Sequence, residues 1–560
     1  MKIVIIGGVA GGATAAARLR RLDETAQIII FERGEFVSFA NCGLPYYIGG
    51  TIEQKDQLAV QTPEGFKRRF NIEVRTMSEI TSVNTSEGYV TVSDLGSGNV
   101  YRESYDKLIL SPGATPVIPG VSLTKDDGIF TLRTIPDAIS IKRFAAENKP
   151  KTALLVGGGY IGMEVAENLS ALGISVTVCE LSDHLIAALD FDMAADVHKY
   201  MRSKGIKLEL SCGLRKIEKL PQGYLATLDR GETFADMIIL ATGVRPDTAF
   251  LSSSDIKMNA RGAIIVDEHM RTNSPDVFAV GDAAEIRSFI TGAPAFLPLA
   301  GPANKQGRIA ADNICSIPSV YNGTQGSSVL KIFDMTVAAT GLNESTATAA
   351  DLDYCKTYIS AYSHATYYPG TTPMLIKLIW DKRTLTILGA QLVGYDGVDK
   401  RADVIATAIH LGAKVTDLAA LELCYAPPFS SAKDPVNMIG FVAENVITKK
   451  IGQFFWHDVS ALPRDGSVTL LDTRTPAEVA SGAIEGFVNI PLDSLRQRIE
   501  EIPKGKPVYV HCHSGLRSYI ACRILTGYGF TCYNLAGGWR LYNSVISEKN
   551  AARSKTESKS

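Results

Sequence analysis

At 560 residues the chain is longer than one hydrophobic core organises, and three or four domains are expected. A formal charge of −2, with 46% hydrophobic and 21% charged residues, gives no general attraction to nucleic acid or anionic membrane. Nine cysteines include no Cys-x2-Cys pair, so no metal site is expected, and their scatter fits a reducing compartment. No apolar run approaches the ~18 residues that cross a bilayer, and the run Ile3 to Ile6 is too short for a signal core. A cytoplasmic protein with neither nucleic-acid nor membrane partner is expected.

The first residues read as strand, glycine turn, helix and strand. Lys2–Ile6 is continuously apolar, as a buried parallel strand is, and Gly7-Gly8-Val9-Ala10-Gly11-Gly12 follows. A helix is predicted from Ala13 to Arg21, then a strand, Gln27–Phe31, ending at Glu32. In such a Rossmann unit the glycine turn brings backbone N–H groups and a helix N-terminus to a pyrophosphate, and the carboxylate takes a ribose hydroxyl. Val9 stands where G-x-G-x-x-G has its second glycine. A few residues on comes Ser38-Phe39-Ala40-Asn41-Cys42-Gly43-Leu44-Pro45-Tyr46. A lone cysteine just past this fold is placed to face a flavin. With no Cys-x4-Cys, any disulfide or persulfide it makes joins a molecule from outside.

A second unit repeats the pattern. Strand Ala153 to Val156 leads into the complete motif Gly157-Gly158-Gly159-Tyr160-Ile161-Gly162, a helix from Met163 to Leu172, and strand Ser175–Cys179. That strand ends at Glu180, 23 residues after Gly157. A carboxylate there accepts the 2′-hydroxyl of NADH and repels the 2′-phosphate of NADPH, and no arginine follows immediately, so NADH is expected. Leu108-Ile-Leu-Ser-Pro112-Gly113-Ala114 and Ile238-Ile-Leu-Ala-Thr-Gly243-Val-Arg-Pro246 each end a strand in a small-residue turn. Gly281-Asp282 closes Thr272 to Asp282, where the aspartate can bond a ribityl hydroxyl.

In this order these elements resemble the flavoprotein disulfide reductases. The resemblance implies an FAD domain split into 1–116 and 246–328 around an NADH domain at 117–245. It also implies cofactor contacts from Gly7, Gly8, Val9, Ala10, Gly12, Glu32, Arg33, Asn41, Pro112, Gly113, Gly281, Asp282 and Ala300, and, for NADH, from Gly157, Gly159, Gly162, Glu180 and Gly243.

Residues 329–447 contain strand-like runs, Leu375 to Trp380 and Ile387 to Val393, before a helix at Asp399 to Leu411. In the resembled family this α+β region is the dimer interface. Tyr367-Tyr-Pro-Gly370 and Cys424-Tyr425-Ala-Pro-Pro-Phe429 set tyrosines beside rigid prolines. The pattern breaks at 448–463, read as a linker whose aromatic residues, Phe454 to His457, dock on a neighbour. A new α/β unit, 464–546, opens with Val468 to Arg474 and includes Pro507 to His511. The residues from 547 to 560 are charged and serine-rich and read as a disordered tail.

His511 runs into Cys512-His-Ser-Gly-Leu-Arg517-Ser518 and then a helix. A loop closing on a helix N-terminus turns N–H groups onto one sulfur, and with Arg517 stabilises a thiolate or persulfide anion. Asp472, Arg474, Cys512-x4-Arg517 and Tyr533-Asn-Leu-Ala-Gly-Gly-Trp539 resemble a rhodanese sulfurtransferase domain, with Ala483 in place of that family's usual histidine. Four residues between Cys512 and Arg517 make a tighter ring than the Cys-x5-Arg loop that holds phosphate.

Taken together, Ser38 to Cys42, the tyrosine motifs and the final domain resemble the coenzyme A disulfide reductase–rhodanese fusions, also described as NADH-dependent persulfide reductases. The resemblance implies FAD, NADH and coenzyme A, the last as a mixed disulfide on Cys42. It places Ser38, Asn41 and Cys42 at the thiol end of coenzyme A, and Arg18, Arg21, Lys67, Asn304 and Arg308 at its phosphates and adenine. It implies a homodimer whose Tyr367 and Tyr425 complete the partner's site, reduction of coenzyme A persulfide or disulfide at Cys42, and carriage of sulfane sulfur by Cys512. An NADH oxidase or peroxidase is the nearest alternative, but those enzymes carry a histidine in the first glycine loop, and the first histidine here is His184. A sulfur-delivery protein that passes persulfide to an acceptor is the other.

Overall fold

The computed structural model describes residues 1–120 and 128–557. Two compact units emerge: Met1–Leu181 with Ile206–Gly326, and Ser182–Gly205 with Ser327–Ser560.

In the first unit, strands Val277–Ala279, Lys107–Leu110, Lys2–Ile6, Gln27–Phe31 and Glu73–Arg75 form one all-parallel sheet in that order. The unbroken apolar runs follow from cover on both faces. Ile3, Ile5, Ile28, Ile30, Ile109 and Phe278 feed one core, while Val4, Ile6, Ile29, Phe31, Leu108 and Leu110 feed the other. Helices Ala10–Leu22 and Ala300–Ile314 pack so closely that a Cβ on Gly307 would lie 2.3 Å from the Gly11 carbonyl oxygen. A second parallel sheet runs Lys207–Glu209, Ser175–Cys179, Thr152–Val156, Met237–Leu240 and Ile129–Thr131, with helix Tyr160–Ala171 after its glycine turn. The strand order in each sheet reverses beside the glycine-bearing strand, where α/β sheets open their ligand crevice. Both glycine-turn helices start earlier than their apolar residues suggest, because the motif glycines themselves form the first turn.

The second unit carries an antiparallel sheet in the order Ser328–Ile332, Met335–Gly341, Ile387–Gly394, Pro373–Asp381 and Tyr354–Tyr362. Helices Val398–His410 and Pro435–Ile447 belong to it. Its other sheet is parallel, in the order Gly452–Phe454, Cys532–Leu535, Val508–His511, Thr469–Asp472 and Val488–Asn489.

Three boundaries differ from the sequence reading. Residues 182–205, assigned above to the NADH domain, cluster with the second unit. The reason is a buried charge network: the Lys377 ammonium, fully buried, lies 2.7 Å from Asp190, 2.9 Å from Asp192 and 2.5 Å from Glu344. Tyr358 donates to Asp192 at 2.6 Å, and Trp456 Nε1 donates to it at 3.2 Å. The three carboxylates could hold a cation, and Lys377 fills that role. The expected linker, 448–463, contains strand Gly452–Phe454, which pairs with Tyr533 to Leu535 as an edge of the C-terminal sheet. The expected disordered tail is helical through Glu557, in helix Gly538–Glu557. Glu548 anchors that helix by accepting from Arg202 at 3.1 Å while Arg540 reaches Asp196 at 3.2 Å.

Candidate active sites

Both glycine turns of the first unit are shaped for a dinucleotide. Gly8 N–H donates to Glu32 at 3.0 Å and Gly158 N–H to Glu180 at 2.6 Å, so each strand-end carboxylate is tied back to its turn. Neither following helix has a side-chain cap or an acidic residue in its first turn, which leaves its positive end open to an anion. Gly7 has φ +89°, and a Cβ there would fall 2.0 Å from the Ser111 carbonyl oxygen. A Cβ on Gly12 or Gly162 would meet the carbonyl oxygen of Gly7 or Gly157 at 2.0 and 2.1 Å. Gly159 faces open space, with no atom within 4 Å of a Cβ, and leaves room for a pyrophosphate. Val9 holds the equivalent place with φ −98°, outside the left-handed region that favours glycine. These cradles fit FAD and NADH, the pair that this fold takes.

Other expected cofactor residues form the turns around these cradles: Gly113, Gly243 and Gly281 all have positive φ, and Ala300 opens its helix. Two already have protein partners. Arg33 donates to Asp247 at 2.9 Å, and Asp282 accepts from Arg133 at 2.7 Å.

Cys42 is exposed in the short turn Asn41–Gly43, ahead of helix Leu44–Gly49. Ser38, at φ +47°, donates its N–H to the Gly8 carbonyl at 2.8 Å, which fastens the cysteine segment to the first glycine turn. Asn41 Nδ2 lies 3.5 Å from the Arg133 carbonyl oxygen. Tyr46 donates to Glu164 at 3.3 Å. Burial pushes the Glu164 carboxyl up to about 7, Glu167 adds to that, and the Tyr46 bond opposes it. The Tyr46 phenol is pushed up to about 12 by burial and by Glu164. The Cys42 thiol is raised by the protein atoms that displace water and then by Glu164, while Arg133 pulls it down. Sequence reading missed Glu164, Tyr46 and Arg133. A signal existed for Glu164, which sits two residues past Gly162 inside the glycine helix.

Of the residues expected to hold coenzyme A, the structure brings Arg18, Asn304 and Arg308 together. Arg18 pairs with Asp312 at 2.7 Å, Arg308 lies 4.0 Å from the same carboxylate, and Thr14 donates to Asn304 at 2.9 Å. Lys67 instead bonds Asn71 at 2.9 Å on its own helix, and Arg21 is exposed at the end of helix Ala10–Leu22.

In the second unit the Tyr367 and Tyr425 hydroxyls meet at 2.7 Å, both side chains being exposed. Cys512 is fully buried; its sulfur accepts from Gly515 N–H at 3.1 Å and from the Ser518 hydroxyl at 3.2 Å. Gly515 has φ +100°, and Gly538 is pinned because a Cβ would fall 2.8 Å from the Cys512 carbonyl oxygen. Arg517 grips Glu478 through two bonds at 2.6 and 2.8 Å, which drives the Glu478 carboxyl down to about 2. Arg474, also buried, is bound by Asp472 at 2.7 Å and lies over the Trp539 ring. It therefore braces the loop's surroundings. His511 is lowered to about 4, chiefly by burial, so it is neutral at physiological pH.

Residues 1–307 match the pyridine nucleotide-disulphide oxidoreductase family, 327–435 the dimerisation domain of those enzymes, and 456–544 the rhodanese-like domain. A coenzyme A disulfide reductase of Staphylococcus aureus (strain bovine RF122 / ET3-1) is 37% identical over 445 residues, 79% of this chain and 100% of that one. Among solved structures, reduced Bacillus anthracis CoADR-RHD is 45% identical with a TM-score of 0.94 and covers 98% of both chains. The NAD-dependent persulfide reductase from A. fulgidus is 36% identical with a TM-score of 0.91, covering 97% of this chain and 100% of that one. The chain belongs to the pyridine nucleotide-disulphide oxidoreductases, among the coenzyme A disulfide reductases, and carries a rhodanese-like domain after its dimerisation domain.

Proposed function

We propose that this protein uses NADH to reduce coenzyme A persulfide and coenzyme A disulfide at Cys42, and that Cys512 carries sulfane sulfur. The observation that carries the reading is Cys42 itself, an exposed thiol fastened through Ser38 to a glycine turn shaped for FAD. The other cysteines of that unit, Cys179, Cys212 and Cys315, are buried or half-buried. NADH and FAD, when bound, supply the electron pair.

The chain's own residues handle sulfur and protons. Cys42 thiolate attacks the inner sulfur of the persulfide, hydrosulfide departs, and Cys42 is left in a mixed disulfide with coenzyme A. Two electrons and a proton then return the thiolate and release free coenzyme A. With coenzyme A disulfide the departing group is a coenzyme A thiolate. Arg133 favours the thiolate of Cys42, while burial and Glu164 together keep the thiol above its ordinary pKa. The Tyr367–Tyr425 pair, supplied by the partner subunit of a homodimer, donates to the departing sulfur. Arg18, Asn304 and Arg308 form the phosphate-end cluster, and the pantetheine arm links the two cysteine sites. Glu180 selects NADH over NADPH by like-charge repulsion of the 2′-phosphate.

The test is steady-state turnover with coenzyme A persulfide and coenzyme A disulfide side by side, with NADH and with NADPH. One sulfide released per NADH with the persulfide, and a lower kcat/KM with NADPH, are expected. NADH consumption that proceeds equally fast without either thiol substrate would make the protein an oxidase and overturn the reading.

A further inference from the structure

Arg401 is a buried cation with more donors than its ion pair uses. It lies on helix Val398–His410 and is only 1% exposed, and its guanidinium sits 2.9 Å from Asp434, which is 2% exposed. That pair alone answers the charge. Yet Arg401 Nη2 also reaches the Ser363 carbonyl at 2.9 Å, the Ser430 hydroxyl at 3.0 Å and the Phe429 carbonyl at 3.4 Å. Ser363 stands four residues before Tyr367, and Phe429 stands four residues after Tyr425.

The two stretches that carry these tyrosines therefore close on one guanidinium. Ser363 N–H donates to the Thr372 carbonyl at 2.8 Å, which closes the first stretch into a loop. The Phe429 and Ser430 N–H groups donate to the Ala426 carbonyl at 2.9 and 3.1 Å, which closes the second. A direct bond joins the two, from Ala365 N–H to the Ser430 carbonyl at 3.1 Å. Asp434 completes the clasp by accepting from the Ser430 hydroxyl at 2.6 Å, and it caps helix Pro435–Ile447 through Val436 N–H at 2.9 Å. Tyr367 and Tyr425 are 74% and 47% exposed, so packing holds their rings weakly and the backbone beneath sets where the hydroxyls go. Those hydroxyls meet at 2.7 Å.

We infer that Arg401 is the positioning residue of the tyrosine pair: it fixes the two loops against each other, so that the joined hydroxyls are aimed at the sulfur that leaves when Cys42 opens a disulfide. The inference rests on the pair's role as that donor and adds what orients it. In the step, Cys42 thiolate bonds to one sulfur of coenzyme A disulfide and the S–S bond breaks. The departing coenzyme A thiolate takes a proton from the pair. A leaving thiolate more acidic than coenzyme A departs without such help. Lost aim therefore appears as sensitivity to the leaving group, which lost stability alone does not produce.

The experiment uses the full-length holoenzyme carrying Arg401→Lys, which keeps a cation for Asp434 but has no planar fork to reach two loops. With NADH, kcat is measured for coenzyme A disulfide and for the mixed disulfide of coenzyme A with thionitrobenzoate, whose aromatic thiolate leaves unaided. We expect kcat to fall about tenfold for the first and less than about twofold for the second. The double variant Tyr367→Phe/Tyr425→Phe should show the same split, and adding Arg401→Lys to it should cost nothing more, because the pair it acts through is already gone. Should Arg401→Lys fail to fold with FAD bound, Ser430→Ala, which leaves Arg401 paired with Asp434, is read in the same way, with a fall of about threefold for coenzyme A disulfide alone. An unchanged kcat, equal slowing of both substrates, or effects that multiply in the combined variant overturn the positioning role and leave the tyrosines as donors. A Tyr367→Phe/Tyr425→Phe protein that shows no split overturns the donor role and the inference with it.

Discussion

Cys42 and Cys512 are both placed by a loop that runs into a helix, yet their surroundings are opposite. Cys42 stands exposed in a three-residue turn, with Glu164 opposing its ionisation and Arg133 favouring it. Cys512 is fully buried, its sulfur held by a backbone N–H and a hydroxyl, on a loop that turns through Gly515 at φ +100°. The contrast matches two tasks. A redox thiol must be reached by a substrate on one side and an electron donor on the other, so it is left open, and charges rather than fixed donors set its reactivity. A sulfur carrier must keep an anion from wandering, which a cage of oriented dipoles does at no reorganisation cost.

The strongest way to break this division is to remove each sulfur separately. Cys42→Ser should lower NADH-driven reduction of coenzyme A disulfide and persulfide about a thousandfold or more while the protein keeps its FAD. Cys512→Ser should abolish thiosulfate sulfurtransferase activity and leave coenzyme A disulfide reduction near wild type. Paired assays of both variants with both substrate classes decide the matter. Equal loss of both activities in either variant would show that the sites do not act separately.

At Cys42 the donors expected from the partner subunit sharpen the picture next. Tyr367→Phe or Tyr425→Phe removes a phenol from a pair only 2.7 Å apart, and the remaining hydroxyl loses its partner. A fall in kcat of about tenfold to a hundredfold is expected, with sulfurtransferase activity unchanged. Mixing a Cys42→Ser protomer with a Tyr425→Phe protomer tests the subunit exchange: heterodimers should recover one intact site. No recovery would place the tyrosines elsewhere.

At Cys512 the cage itself can be thinned. The Ser518 hydroxyl donates to the sulfur from within the buried site, and a bond to a charged group contributes about 1.5–3 kcal/mol. Ser518→Ala should therefore slow sulfur transfer about tenfold or somewhat more, measured as thiosulfate sulfurtransferase turnover. An unchanged rate would mean that Gly515 N–H and Arg517 suffice.

Much of this was legible before the fold was known, because strand, glycine turn and carboxylate are local: Gly8 and Glu32 lie 24 residues apart, Gly158 and Glu180 only 22. Both cysteines announced themselves by the motif around them. What stayed hidden is what the chain brings together from afar. Tyr46 meets Glu164 across 118 positions, and Arg133 meets Asp282 across 149. The linker strand Gly452–Phe454 is too short to show a period, and its pairing depends on Tyr533 to Leu535. The stretch from 547 looks like a polar tail because the apolar anchors of its helix, Leu541 and Val545, lie before it, and Glu548 adds an ion pair with Arg202.

The smallest expected effect is also the one that most directly tests how charge tunes the open site. Glu164 titrates near 7, so its charge appears only as pH rises through that value, and only then does it oppose ionisation of Cys42. In Glu164→Gln the opposition is gone at every pH. The variant and the wild type should alkylate Cys42 at equal rates near pH 6, and the variant about threefold faster above pH 8. A ratio that stays at one throughout would mean that Glu164 does not act on the thiol. Stability gives an independent reading of the same group. Its pKa is raised by folding, so it imposes no penalty below its unfolded value near 4.5. The penalty grows between there and about 7 and is constant above. Glu164→Gln should accordingly gain about 1–2 kcal/mol over wild type at pH 8 relative to pH 5, a figure reduced for the partial exposure of the side chain. Thermal unfolding of both proteins at those two pH values measures the difference, and a gain that is the same at both would show that the carboxyl titrates in the folded protein as it does in the unfolded chain.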